Sequence, residues 1–212
     1  MRRGALITLE GGEGAGKSTV LAAVGDCLLA SGLAVERTRE PGGTVLGEAL
    51  RALVLDPAQQ NLCAESELLL MFAARAQLVR ERIEPALARG DWVLSDRFSD
   101  ASFTYQGGGR GQPEARIAAL EAWAAGIRPD LTLLLDVPVE QGLARTRMRG
   151  GPDRIEAEQA GFFERVRASY RARAAAEPAR FRVIDASRDV DSVRKDAVAA
   201  VAAFVAAWRA GQ

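Results

Sequence analysis

A glycine-rich run near the start of the chain, residues 11–18 with the sequence GGEGAGKS, has the spacing of a phosphate-binding loop. It follows a short apolar segment and precedes a segment with helical periodicity. Glycines let the backbone curl so that its N–H groups point inward, and the following helix N-terminus adds positive partial charge. In this pattern Lys17 reaches the β and γ phosphates of a nucleotide, and the Ser18 hydroxyl ligates Mg²⁺. The run therefore predicts a site for nucleotide phosphates.

The composition limits the chemistry that can accompany this loop. The chain contains no histidine, which excludes Ser-His and Cys-His nucleophile pairs, imidazole acid-base catalysis and histidine-bound zinc. Lys17 and Lys195 are the only lysines among 28 basic residues, so the lysine of the loop stands out from an arginine-rich background. Catalysis is therefore expected from carboxylates, arginines, Lys17, hydroxyl groups or a bound metal.

The charge balance gives no indication of a nucleic-acid partner. The 28 basic and 28 acidic residues give a formal net charge of zero, so a basic binding surface would require local clustering. A GTP-dependent switch normally reads guanine with an N-K-x-D motif, but the single asparagine, Asn61, is followed by leucine. A small-molecule phosphotransferase is therefore the leading class, and an ATP-dependent binding switch is the distant alternative.

The cysteines and the apolar segments predict the cellular setting. Cys27 and Cys63 lie far apart and form no C-x-x-C motif, so reduced thiols are expected. The apolar stretch of residues 5–9 ends at Glu10, which makes it too short for a signal peptide. The apolar stretch of residues 68–74 is also too short for a membrane span. We therefore expect a cytoplasmic protein without a membrane partner.

The periodicity of the chain predicts the elements that hold the loop in place. Five short apolar runs are predicted strands: residues 5–9, 33–38, 92–95, 131–135 and 182–184. Segments with helical periodicity lie between or after them: residues 17–30, 45–55, 64–88, 113–125, 139–149, 161–176 and 190–208. In a chain of 212 residues this alternation predicts a single α/β domain with a five-stranded parallel sheet flanked by helices. Because ligands bind such sheets beyond the carboxyl ends of the strands, functional residues are expected just after each strand.

The chain carries four further motifs, most of them just after predicted strands. They are TREPGGT at residues 38–44, MFAAR at 71–75, DRF at 96–98 and SFTYQGGGR at 102–110. Together with the loop at residues 11–18 they resemble bacterial thymidylate kinases, and the resemblance extends from Ile7 to Asp185. It implies a P-loop NTPase fold with a mobile lid, usually present as a homodimer. It also implies transfer of the γ-phosphate of ATP to dTMP with Mg²⁺, which yields dTDP and ADP.

The resemblance assigns two sets of binding residues. ATP is expected to meet the loop and the start of the next helix at Gly11, Gly12, Glu13, Gly14, Ala15, Gly16, Lys17, Ser18 and Thr19. The dTMP site is expected to comprise Glu13, Arg39, Arg51, Phe72, Arg75, Arg97, Ser102, Tyr105 and Gln106. Among these, Arg51 and Arg97 are expected around the dTMP phosphate, with Arg39 a weaker candidate. Ser102 and Gln106 match positions that touch the thymine edge.

The aromatic residues of this set have distinct expected roles. Phe72 is expected to stack on thymine, and Arg75 to bind the edge of the base. Many relatives place the stacking phenylalanine one residue earlier, where this chain has Met71, so Met71 remains the alternative. Tyr105 matches the residue that packs against the 2′ carbon of the sugar. Glu13 is expected to orient the nucleotide near its 3′-hydroxyl.

The pair of Asp96 and Arg97 can also be interpreted from the residues alone. Because it follows a strand predicted to lie beside the loop strand, Asp96 suits Mg²⁺ or water coordination and Arg97 suits phosphate binding. The metal site is therefore predicted at Ser18 and Asp96. A surface ion pair is the alternative for Asp96 and Arg97, and Arg39 and Arg51 could be solvated arginines.

An arginine cluster predicts a lid at about residues 143–156. Arg145, Arg147 and Arg149 lead into GGPDRIE at residues 150–156. A solvated helix end is the alternative, since basic residues are favoured at helix C-termini.

The phosphate-binding loop contains no arginine, which bears on the role of the lid. The negative charge of the transferring phosphoryl group must be neutralised by Lys17, Mg²⁺ and arginines from elsewhere. This resembles the thymidylate kinases whose catalytic arginines come from the lid, with Arg149 the leading candidate, followed by Arg147 and Arg154. No strong general base is required, because the acceptor is already a phosphate oxyanion. Another nucleoside monophosphate kinase specificity remains the close alternative.

Overall fold

The computed structural model describes residues 3–146 and 153–211. Its sheet has five parallel strands in the spatial order β2-β3-β1-β4-β5. The strands are β1 (Leu6–Gly11), β2 (Val35–Arg39), β3 (Trp92–Asp96), β4 (Leu131–Asp136) and β5 (Phe181–Asp185). All five predicted strands are confirmed close to their expected bounds, and so is the parallel α/β fold.

Helices flank the sheet and connect its strands. They are α1 (Lys17–Ala30), α2 (Val45–Leu55), α3 (Ala64–Leu78), α4 (Glu84–Arg89), α5 (Ser99–Ser102), α6 (Glu114–Leu120), α7 (Val139–Thr146), α8 (Ala160–Ala176) and α9 (Val190–Ala210). The π-helical segment Val79–Ile83 joins α3 to α4, Phe103–Gly109 continues α5, and Glu121–Ala125 continues α6. The helical turns that begin at Ser99 were not expected from the sequence, because the glycines at residues 107–109 disfavour a helix.

The three central strands, β1, β3 and β4, lack polar alternation because both faces of the sheet are covered there. On one face, α1 and α9 bury side chains such as Val24 and Val201 against Ile7 and Leu133. Trp92 contacts the rings of Phe204 and Trp208 on α9, with centroid distances of 5.8 Å for both pairs. The alanine-rich end of the chain is therefore a packed helix, as predicted.

The strand order brings the predicted motifs together. Strand β1 lies between β3 and β4, and the register pairs Leu9 with Asp96 and Gly11 with Leu135. The loop after β1 and the motif after β3 consequently leave the sheet side by side at its carboxyl edge. Across residues 3–146 and 153–211, none of the helices has the length and apolar character that crossing a bilayer requires.

Candidate active site

An open cavity of about 910 Å³ lies at the carboxyl edge of the sheet. It is lined by Glu13, Gly14, Ala15, Gly16, Lys17, Ser18, Glu40, Pro41, Arg51, Leu55, Met71, Asp96, Arg97, Ala101, Tyr105, Gln106, Thr146, Asp153, Ile155 and Glu156. The charged groups of the phosphate-binding loop and of the turn after β3 form one part of this wall. Apolar side chains, among them Met71, Ala101, Tyr105 and Ile155, pack together in another part. The cavity can therefore hold a ligand that has both an anionic and an apolar portion.

The phosphate-binding loop depends on glycines at two close approaches. Gly11 has a φ of 143°, and a Cβ there would lie 2.5 Å from the carbonyl oxygen of Leu135. Gly14 has a φ of 68°, and a Cβ there would lie 2.1 Å from the carbonyl oxygen of Gly142. Any other residue would clash with backbone at either place.

Lys17 begins α1 and folds back over the loop. Its Nζ donates to the carbonyl oxygens of Gly11, at 3.1 Å, and Gly12, at 3.0 Å. Burial lowers the pKa of Lys17, and the nearby Arg97 lowers it further against the opposing effect of Glu13. The ammonium group thus lies where phosphate oxygens would meet the loop.

Arg97 has a φ of 69°, a backbone conformation that residues other than glycine rarely adopt. Its own N–H donates to the carbonyl oxygen of Leu9 at 2.9 Å. The guanidinium donates from Nη1 to the carbonyl oxygen of Gly11 at 2.9 Å and from Nη2 to Glu13 Oε1 at 2.8 Å. Strain of this kind persists at functional sites because surrounding contacts hold it. Here the contacts aim the Arg97 side chain at the loop.

Glu13 receives two donors on the same oxygen. The Tyr105 hydroxyl donates to Oε1 at 2.8 Å, beside the ion pair with Arg97. Burial disfavours the charged carboxylate, but Arg97, Lys17 and the Tyr105 hydrogen bond outweigh it, so the pKa of Glu13 lies below its ordinary value. Glu13 is therefore an ionised acceptor for hydrogen bonds.

Asp96 and Ser18 both line the cavity and supply oxygen atoms, the ligand type that Mg²⁺ prefers. The Asp96 Oδ1 atom is buried and has no hydrogen-bond partner within the described ranges. The Ser18 side chain is exposed at the start of α1. Mg²⁺ is commonly held by one or two protein oxygens together with phosphates and water. The residues present fit such an ion.

Arg39 and Arg51, both expected near the dTMP phosphate, are placed differently. Arg51 lines the cavity and donates from Nη1 to the carbonyl oxygen of Pro41 at 2.9 Å. Burial, and then the neighbouring Arg39, lower the pKa of Arg51. Arg39 does not line the cavity, and its exposed guanidinium forms an ion pair with Glu48 at 2.8 Å. The structure thus brings Arg51 to the site and leaves Arg39 outside its wall.

Arg75 lies behind the cavity wall rather than in it. Its side chain is 1% exposed and donates from Nε to Glu40 at 2.7 Å and from Nη1 to Ser102 Oγ at 3.0 Å. Its guanidinium also covers the Phe72 ring, 4.4 Å from the centroid. Phe72 packs in a buried cluster, whereas Met71 lines the cavity. This geometry favours Met71 over the expected Phe72 as the side chain that a base would meet.

Gln106 and Arg154 converge on one carboxylate. Gln106, which lines the cavity, donates from Nε2 to Glu67 Oε1 at 2.9 Å. Arg154 does not line the cavity and donates from Nη2 to Glu67 Oε2 at 2.6 Å. Its Nε atom donates to the carbonyl oxygen of Val54 at 2.7 Å. The described geometry therefore holds Arg154 away from the phosphate-binding loop.

The other two lid arginines, Arg147 and Arg149, lie outside the described residues. Arg145 donates from Nη1 to the carbonyl oxygens of Gly14, at 3.3 Å, and Ala186, at 3.0 Å. It therefore ties α7 to the loop.

Sequence reasoning missed a buried layer behind the loop. Glu10 accepts from the Phe98 N–H at 2.8 Å and from the Tyr170 hydroxyl at 2.6 Å. Burial and then the charge of Asp100 raise the pKa of Glu10 to about 8. The available signal in the sequence was Glu10 itself, a carboxylate at the end of an otherwise apolar run beside the loop. Its partners, Phe98 just before α5 and Tyr170 on α8, could not be identified from spacing.

Comparisons with known proteins agree with this geometry. A family model described as thymidylate kinase matches residues 9–197. Thymidylate kinase from Chromohalobacter salexigens is 57% identical over 211 residues, covering 98% of this chain and 100% of the relative. Thymidylate kinase from Alcanivorax borkumensis is 52% identical over 206 residues, covering 97% and 99%.

A solved structure supports the same relationship. The crystal structure of thymidylate kinase from Ehrlichia chaffeensis matches with a TM-score of 0.76 and 30% sequence identity. The match covers 94% of this chain and 98% of that chain. The fold, the cavity and these similarities together show that the chain belongs to the thymidylate kinase family.

Proposed function

We propose that this protein is a thymidylate kinase that transfers the γ-phosphate of ATP to dTMP and forms dTDP and ADP. The observation that carries the proposal is one cavity that contains both the phosphate-binding loop with Lys17 and the apolar wall with Met71 and Tyr105. The family membership of almost the whole chain supports the same reaction.

Phosphoryl transfer requires alignment of two phosphates and neutralisation of their charge. We assign charge neutralisation to Lys17 and Arg97, which lie at the loop, and binding of the acceptor phosphate to Arg51 and Arg97. The backbone N–H groups of the loop and the start of α1 would hold the phosphates of ATP. A strong general base is not needed, since the acceptor phosphate oxygen is already anionic at neutral pH.

Glu13 suits an orienting role for the acceptor sugar. Its lowered pKa keeps it ionised, so it can accept a hydrogen bond from a sugar hydroxyl but cannot donate a proton. Tyr105, bonded to the same carboxylate, would then lie against the sugar ring. These roles rest on the contacts of Glu13 with Tyr105 and Arg97.

Mg²⁺ is the proposed cation. When bound, it would neutralise charge on the nucleotide phosphates. Ser18 and Asp96 would hold it, because both line the cavity and the Asp96 Oδ1 atom has no hydrogen-bond partner in the described part of the chain.

The lid arginines complete the proposed catalytic set. Arg149 and Arg147 would meet the transferring phosphoryl group when the lid is closed, and Arg154 would join them only after leaving Glu67. Replacement of Arg149 by alanine should lower kcat far more than it raises KM for dTMP, because such contacts form mainly in the transition state. An unchanged kcat after alanine replacement of all three arginines would contradict the assignment.

A homodimer in the cytoplasm is the proposed state. Helices α2 and α3 expose several apolar side chains, a feature typical of interaction surfaces. They are Val45, Leu46, Leu53 and Leu69. Cys27 and Cys63 are free thiols, which suits a reducing compartment. Analytical ultracentrifugation of the parent and a Leu69→Asp variant tests the dimer, and a monomeric parent would contradict it.

A coupled ADP-release assay tests the proposed reaction. Purified protein is given ATP and Mg²⁺ with dTMP, dUMP, dCMP, dGMP or AMP as the acceptor. The expected result is fastest turnover with dTMP and slower turnover with dUMP. Preferential use of a purine nucleotide or dCMP would favour another nucleoside monophosphate kinase specificity and overturn the proposal.

A further inference from the structure

We infer that Glu67 is a positioning residue that fixes the nucleobase preference of the cavity by holding the amide of Gln106 in one orientation. The inference rests on the proposed function, because it concerns the base of the acceptor nucleotide. Glu67 lies on α3 with a side chain that is 1% exposed, and it does not line the cavity. Its influence on a ligand must therefore pass through another residue.

Glu67 is an ionised carboxylate in spite of its burial. Burial alone would raise its pKa, but the hydrogen bonds from Gln106 and Arg154 and the charge of Arg110 outweigh this, so the pKa of Glu67 is lowered. The Arg154 guanidinium lies 2.6 Å from Oε2, and Arg110 Nε lies 3.3 Å from the same oxygen. Two cations thus compensate the buried charge.

An ionised carboxylate can accept hydrogen bonds but cannot donate one. The Gln106 amide must therefore turn its nitrogen, not its oxygen, toward Glu67, as the 2.9 Å contact from Nε2 to Oε1 has it. The Gln106 Oε1 atom is then the part of the amide left for other partners. It is buried and has none among the described residues. A buried acceptor without a partner is costly, and a donor from a ligand would relieve that cost.

The position of Gln106 makes such a ligand contact selective. Gln106 lines the cavity together with Met71, Ala101 and Tyr105, in the apolar part that suits a flat base. Thymine and uracil carry a ring N–H between their two carbonyl groups, which can donate to Gln106 Oε1. Cytosine has a lone pair at the same ring position, and two acceptors would then face each other. Sites built around such a hydrogen bond reject analogues that cannot form it.

The experiment compares dUMP with dCMP, two nucleotides that share the same sugar phosphate and ring size. Dissociation constants of both are measured by titration calorimetry for the parent and for Glu67→Gln. The neutral amide at position 67 can donate as well as accept, so the Gln106 amide loses its fixed orientation. The preference for dUMP over dCMP should fall about tenfold or more. An unchanged preference in the folded variant overturns the inference.

Two further variants distinguish positioning of the Gln106 amide by Glu67 from a general loss of local structure. Glu67→Asp keeps the negative charge for Arg154 and Arg110, but its shorter side chain places the carboxylate farther from the Gln106 amide. The preference for dUMP over dCMP should therefore fall in this variant too. This variant tests the inference if Glu67→Gln does not fold. Glu65→Gln makes the same chemical change two residues earlier on α3, where the carboxylate accepts from Gln112 Nε2 at 3.0 Å, and should retain the parent preference. A fall in Glu65→Gln equal to that in the Glu67 variants would overturn the inference.

A double-mutant cycle gives the sharpest discrimination. Gln106→Met removes the acceptor, and in that background Glu67→Gln should cause no additional change in the ratio of dUMP to dCMP affinity. An additional fall of the same size would show that Glu67 acts by another route. The outcome is separate from the proposed function, because turnover of dTMP by the parent enzyme tests that function alone.

Discussion

Glu10 and Glu13 flank Gly11 and Gly12, yet the structure gives the two carboxylates opposite properties. Glu13 belongs to a front layer that lines the cavity, formed by Glu13, Lys17, Arg97 and Tyr105. Glu10 belongs to a back layer beneath the loop, formed by Glu10, Asp100 and Tyr170. Burial disfavours ionisation in both layers. The pKa of Glu13 is nevertheless lowered, whereas that of Glu10 is raised to about 8.

The neighbouring charges account for this contrast. Glu13 has Arg97 and Lys17 beside it, and both favour its ionised form. Glu10 has the negative Asp100 beside it, and Arg97 only partly offsets the combined effect of burial and that charge. Burial therefore does not determine the charge of a carboxylate by itself. The front layer carries fixed charge for the ligand, whereas the back layer holds a buried carboxyl group that accepts from the Phe98 N–H in the turn after β3.

Removal of Lys17 from the front layer should have the largest effect on activity. Lys17→Ala is expected to lower kcat by about 10² to 10³ or more, because Lys17 stabilises transition-state charge. Initial rates of dTMP-dependent ADP release measure the loss. Lys195→Ala is the matched control, since it removes the exposed lysine of α9. Near-parent kcat in a folded Lys17→Ala protein would contradict the role of the front layer.

The front-layer tyrosine should control the sugar. Tyr105→Ala is expected to relax rejection of ribothymidine monophosphate by about tenfold, because burial of an additional 2′-hydroxyl beside the ring costs about 1–3 kcal/mol in the parent. The ratio of kcat/KM for the deoxy and ribo nucleotides reports the change. If Tyr105 were only a packing residue, both activities would fall together and the ratio would stay constant.

The back-layer tyrosine should instead control stability. The Tyr170 hydroxyl donates to Glu10 at 2.6 Å and accepts from Arg97 Nη1 at 3.2 Å. Tyr170→Phe is expected to cost about 1–3 kcal/mol, since the buried Glu10 carboxyl loses one of its two hydrogen-bond donors. Thermal unfolding should show Tm lower by several degrees, at about 2–4 °C per kcal/mol. Arg97 keeps its Gly11 and Glu13 partners, so a kcat loss as large as that of Lys17→Ala would remove the distinction between the layers.

The two layers also differ in how far the sequence predicts them. The spacing of residues 11–18 and the apolar strands predicted the sheet, the loop and the place of Lys17, because these features depend on local periodicity and backbone geometry. The motif after β3 placed Arg97 and Tyr105 near the loop. The partners Glu10–Tyr170 and Glu67–Gln106 join distant segments. One sequence without tertiary contacts contains no signal for such pairs.

Phe72 illustrates the same limit at closer range. Residues 71 and 72 are adjacent on α3, so local pattern alone could not decide which side chain faces the cavity. In the structure the buried Arg75 guanidinium covers the Phe72 ring, and Met71 is the side chain that lines the cavity.

The last expected effect concerns the proton of the back layer and is spread over several pH units. The ordinary pKa of 4.5 applies to Glu10 in the unfolded chain, and the folded value is about 8. Between these values the folded protein retains a proton that the unfolded chain has released. The stabilisation from Glu10 is therefore complete below about pH 4.5 and is lost as the pH rises through about 8. The largest slope is about 1.4 kcal/mol per pH unit.

Glu10→Gln removes this titration while keeping the size of the side chain. The parent should lose more stability than the variant as the pH rises from about 5.5, and the difference between their Tm values should change up to about pH 8 and level off above it. Contributions from other groups, including Glu13 and Glu67, occur in both proteins and cancel in the difference. Asp100 is held by Arg173 and Arg180, which lower its pKa against the effect of burial, so it stays charged throughout. Parallel curves would mean that Glu10 is ionised in the folded state and that the two layers do not differ in charge.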